Sequence, residues 1–154
     1  MNDDLQPVRA LLAQTERQRD EALTEKVRLE MARRAADTQA EQLVAYRREY
    51  ESRWQAEFCR EGKIELVRCY QGFMQRLSEA IEQQSRIAVH TAVQVERANA
   101  IVNGFELRAA ALKKLLERRL REGRRLGERE EQKETDDFAN RAAWQRMVYQ
   151  ATVH

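Results

Sequence analysis

The chain has 154 residues, room for one domain and too few for two ordinary ones. Charged residues make up 35% of it, yet 28 Lys and Arg against 26 Asp and Glu leave a net charge of only +2. One proline and five glycines cannot supply the turns of a β-sandwich or barrel, 42% hydrophobic content argues against disorder, and a mean hydropathy of −0.82 with no apolar run approaching ~18 residues excludes a membrane-spanning helix.

The start, Met1-Asn2-Asp3-Asp4, is acidic and has no apolar stretch behind it, so no secretory signal is expected. A first helix is predicted over about residues 8–57. Val8, Thr15, Ala22, Leu29, Ala36, Leu43 and Tyr50 recur every seven residues. The alternate row holds Leu12, Ala40 and Trp54 but also Arg19, Lys26, Arg33 and Arg47. It is a weak seam with long basic side chains lying along it. Pro7 suits the first turn, where a missing N–H costs nothing.

A turn is predicted over about 58–63, at Gly62, where both stripes have a gap. Cys59 and Cys69 flank it and are expected to be two ordinary thiols. The second helix is predicted over about 64–148. From Val67 through Leu77, Gln84, Val95, Val102 and Ala109 to Leu116 its seam steps by three and four without a break. The expected architecture is all-α: a single domain over 1–154, with two long unequal helices forming an antiparallel coiled-coil hairpin. At 1.5 Å per residue the helices measure ~75 Å and ~125 Å. Residues whose numbers add to about 123 should stand opposite each other, so Leu5 faces Arg118. Beyond that point the second helix overhangs. Gly123 and Gly127 should weaken it locally, by ~1 kcal/mol each relative to alanine.

Composition changes on the overhang. Eight cations lie between Lys113 and Arg129, Arg118, Arg119, Arg121, Arg124 and Arg125 among them. An acidic stretch from Glu130 to Asp137 follows, and then an amphipathic end with Phe138, Trp144 and Tyr149. A helix spreads such cations around its circumference, and no base-stacking aromatics interleave with them. An acid-lined protein partner is therefore preferred to a merely solvated helix, and both to nucleic acid.

Catalysis finds no foothold. There is no phosphate-binding glycine loop and no nucleophile–base set, and the carboxylates alternate with Lys and Arg on solvated faces. Two histidines and two cysteines do not make a metal cluster. No enzymatic role, cofactor or metal is expected.

The residues near the turn are more informative. Gln39, Leu43, Tyr46 and Tyr50 share one face of the first helix, and Phe73, Leu77, Ala80 and Gln84 repeat that spacing on the second. Each residue of one quartet has a partner in the other with which its number adds to 123, so the two quartets form one patch. Leu43, Tyr50 and Leu77 also belong to the seam. Tyr46, Phe73 and Ala80 fall beside it, on a flank that a two-helix hairpin leaves partly wet. Exposed aromatics on such a flank mark a contact surface.

At these residues the sequence resembles the flagellar export protein FliJ family. The resemblance is carried by Tyr46-Arg47-Arg48-Glu49-Tyr50, by the stretch from Tyr70 to Ile81, and by Glu131-Gln132-Lys133-Glu134-Thr135-Asp136-Asp137-Phe138-Ala139-Asn140-Arg141-Ala142-Ala143. It implies a cytoplasmic component of the flagellar type III export apparatus, similar to the central stalk of rotary ATPases. It implies three partners: the export ATPase hexamer, the cytoplasmic domain of the export gate, and export chaperones. Association with the inner membrane would be peripheral and through partners only. The family's gate-binding surface corresponds to Gln39, Leu43, Tyr46, Tyr50, Phe73, Leu77, Ala80 and Gln84. Arg118, Arg119, Arg121, Arg124, Arg125 and Phe138 on the overhang are the expected ATPase contacts. An injectisome stalk protein and a generic structural coiled coil are the alternatives.

Overall fold

The computed structural model describes residues 2–60 and 63–153; for residues 2, 3 and 59 it describes the backbone alone. A 3₁₀ turn, Asn2–Leu5, leads into helix α1, Gln6–Arg60, and helix α2 runs Ile64–Val153. The fold is all-α, two long helices of 55 and 90 residues, and the described residues contain no strand. None of these helices is long and apolar enough to cross a membrane. The turn expected at Gly62 lies outside the described residues, as does the side chain of Cys59. Cys69 is an exposed free thiol.

Both helices outrun the ends that periodicity sets for them. α1 continues through Arg60, so Phe58 is helical rather than part of the turn. Its ring packs on Trp54 one turn back and meets Tyr70 of α2 edge-on, and these contacts hold the last turn of α1. On the far side the Lys63 carbonyl accepts the N–H of Val67, closing the first turn of α2. At its other end α2 runs five residues past 148, to Val153. There the Thr152 hydroxyl lies 3.0 Å from the carbonyl oxygens of both Val148 and Tyr149, so its donor is satisfied within the preceding turn.

The chain divides into two compact units, Arg17–Glu106 on one hand and Met1–Glu16 with Leu107–His154 on the other. In the first unit the two helical stretches pair along the expected seam. Ala36, Leu77, Val95, Ala98 and Val102 are its buried residues. Small and β-branched side chains dominate there, and they let two helix backbones approach closely. Nearer the turn the seam fills with rings instead. Gln84 is a polar residue of the seam that bridges the helices: its side-chain amide donates to the Ala36 carbonyl at 3.3 Å and to Gln39 Oε1 at 3.2 Å. Gln39–Gln84 and Tyr50–Phe73 both obey the expected register of 123.

In the second unit the N-terminal segment packs on α2 through Leu5, Val8, Thr15 and Ala109, all buried. The Thr15 hydroxyl donates to the Leu11 carbonyl at 2.8 Å, so its burial leaves no unpaired donor. Glu16 and Lys113 approach to 3.9 Å across the pair. Leu5 shares a notch with Arg119, Leu120 and Gly123, immediately beyond its expected neighbour Arg118. Past Gly127 every described residue of α2 except Ala142 is exposed.

Candidate functional site

Six of the ten aromatic residues lie between Tyr46 and Phe73. They form one connected set. Along α1 they follow at four-residue spacing, Tyr46 to Tyr50 at 5.3 Å, Tyr50 to Trp54 at 6.3 Å and Trp54 to Phe58 at 5.5 Å between ring centroids. From α2, Phe73 stacks on Tyr50 and meets Tyr46 edge-on, and Tyr70 meets Trp54 and Phe58. Helical spacing brings the α1 rings onto one face, and antiparallel pairing brings the α2 rings against them.

Within this set the eight expected surface residues are not equivalent. Leu77 is buried, at 7% exposure, and underpins the patch from the seam. Leu43, Tyr50, Phe73, Ala80 and Gln84 are half-buried, and Gln39 is exposed. Tyr46 is the aromatic of the patch that faces water most, at 44% exposure, although two rings support it. Gln39, Leu43, Tyr46 and Gln84 line one shallow groove with Gln42, a residue the sequence reasoning missed. Gln42 lies three residues from Gln39 and four from Tyr46, so the helical spacing contains the signal for it. Trp54, Phe58 and Tyr70 extend the rings toward the turn and form no part of the expected patch.

The basic stretch is more ordered than an even spread around the helix. Lys114, Arg118, Arg121 and Arg125 line a single groove with Glu117 and Glu122, and Arg125 and Arg129 line the next. At 100° per residue these five cations fall within about 80° of arc. Arg119 and Arg124 lie elsewhere on the helix and line the notch beside Leu5. Phe138 is 75% exposed, the most open aromatic ring of the described residues. Arg121 pairs with Glu117 at 3.7 Å.

An antiparallel coil that offers an aromatic groove in one unit and a cationic stripe in the other belongs to the class of coiled-coil proteins that work by surface contact. A family model described as Flagellar FliJ protein matches residues 3–147, and the chain belongs to the FliJ family. It is thereby a protein associated with flagellar type III export, in a family of structural and escort proteins rather than enzymes. Neither the curated proteins nor the solved structures contain a match to it.

Proposed function

We propose that this chain is a central-stalk-like component of the flagellar export apparatus that joins the export ATPase ring to the export gate and also receives export chaperones. It acts in the cytoplasm and reaches the inner membrane only through its partners. Family membership across residues 3–147 carries this reading. The gate contact is assigned to the groove around Tyr46, because an aromatic ring held by its neighbours yet open to water can bury area with little loss of side-chain entropy.

The ATPase contact is assigned to the basic stretch of α2, with Arg118, Arg119, Arg121, Arg124 and Arg125 and the exposed ring of Phe138. Cations on an exposed helix face attract an acid-lined ring and lose that attraction as salt rises. Turnover by the cognate export ATPase, titrated with this protein, tests the assignment. The wild-type chain should stimulate ATP hydrolysis, and the triple variant Arg118→Glu, Arg121→Glu, Arg125→Glu should not. No stimulation and no binding by the wild type at low salt would reduce the protein to a plain structural coil.

A further inference from the structure

From Arg118 to Asp137 α2 is helical throughout, and every charged side chain on it is exposed. The charges come in two blocks. Residues 118–129 hold six cations against two acids, and residues 130–137 hold five acids against one cation. Such blocks repel themselves within a single helix. Arg121, Arg125 and Arg129 follow one another at four-residue spacing, as do Glu130 and Glu134, and like charges so placed are unfavourable. Arg118 and Glu122, Arg124 and Glu128, and Lys133 and Asp137 are opposite in sign at the same spacing and offset part of this. Among the described residues the one ion pair made by this segment is Arg121–Glu117.

The order of the charges is antisymmetric about the bond between Gly127 and Glu128. Laid antiparallel on a copy of itself, the segment brings together residues whose numbers add to 255. Six of the ten resulting levels then oppose unlike charges, and none opposes like charges. The outer levels set Arg118 against Asp137 and Arg119 against Asp136. The inner ones set Arg121 against Glu134, Glu122 against Lys133, Arg124 against Glu131 and Arg125 against Glu130. A parallel, in-register pair would instead set every charge against its like.

The same reflection preserves a stripe at coiled-coil spacing. Starting at Leu115, alternate steps of four and three pass through Glu122, Leu126, Arg129 and Lys133 to Asn140, and the reflection maps this stripe onto itself. Leu126, 53% exposed, then stands beside the aliphatic stem of the copy's Arg129. Packed helices lie about 8–10 Å apart, no more than a Debye length of about 10 Å at 0.1 M salt, so charges off the contact line contribute as well.

We propose that the overhang of α2 is a self-association surface, pairing antiparallel with a second copy of this chain over residues 118–137, with the two-fold axis at Gly127–Glu128. The contact is about 30 Å long and held mainly by charge, so it is reversible and salt-sensitive.

Sedimentation equilibrium of the full chain in reducing buffer tests this with charge swaps. The wild type should dimerise at about 20 mM salt and dissociate at about 0.5 M. The double variant Arg124→Glu, Arg125→Glu should self-associate at least about tenfold more weakly, and so should Glu130→Arg, Glu131→Arg. Mixed one to one, the two double variants should form a heterodimer. The quadruple variant carrying all four changes should regain the wild-type homodimer, because every altered level again opposes unlike charges. A monomeric wild type at low salt overturns the proposal. So do double variants that associate like the wild type, or a quadruple variant as weak as the doubles.

Discussion

The Phe73 ring of α2 stacks on the Tyr50 ring of α1, with centroids 4.5 Å apart and planes inclined by 30°. The contact joins the two helices where aromatic rings fill the seam. It also supports Tyr46, which leans on both rings. Phe73→Ala should therefore destabilise the chain by about 2 kcal/mol, below the value for a fully buried ring because Phe73 is half-buried. Urea unfolding followed by circular dichroism measures this.

Gln84 is the polar residue in an otherwise apolar run of the seam, and it spends its amide on α1. Polar residues at such positions specify register at a cost in stability. Gln84→Leu should raise stability by about 1 kcal/mol through added apolar burial. A lower melting temperature in Gln84→Leu would show that the two hydrogen bonds outweigh the burial.

Gly72 and Gly104 lie inside α2, have no positive φ, and have open space where a Cβ would stand. Their absence of side chain serves no packing in this chain. Gly72→Ala and Gly104→Ala should each stabilise the protein by about 1 kcal/mol, read from the shift of a thermal unfolding curve.

Arg28 hydrogen-bonds to Glu25 and holds that carboxyl below its ordinary value of 4.5. The folded-state value is the depressed one, so the pair's contribution is present above about pH 4.5 and is lost as pH falls through the lowered value. Both groups are fully exposed, and the effect is correspondingly small. The melting temperatures of wild type and Glu25→Gln should differ slightly at pH 7 and converge as pH falls below the lowered value.

The seam was legible in the sequence because burial on a helix follows period, and period survives in the residue string. Val95, Val102 and Ala109 are buried where stepping by three and four puts them. The helix ends were not legible. Phe58 stays helical because two rings meet it, and near the end of α2 the Thr152 hydroxyl bonds back to the preceding turn, neither of which periodicity records. The patch was legible as a set, through the register of 123, but not in its relief. Phe73 and Tyr46 both read as flank residues, yet Phe73 is half-buried and Tyr46 open, because Phe73 turns its ring onto Tyr50. The basic stretch was read as a count of cations. Its stripe appears only when each cation is given its angle on the helix.

The central claim is that a FliJ-family coil presents its gate contact at the groove around Tyr46. Binding of the cognate gate's cytoplasmic domain, titrated by calorimetry, tests it most directly. Tyr46→Ala removes an exposed ring without opening the seam, and Val89→Ala, at an exposed site elsewhere on α2, is the control. The account predicts a loss of affinity of about tenfold or more for Tyr46→Ala and none for Val89→Ala. Wild-type affinity in Tyr46→Ala would contradict it.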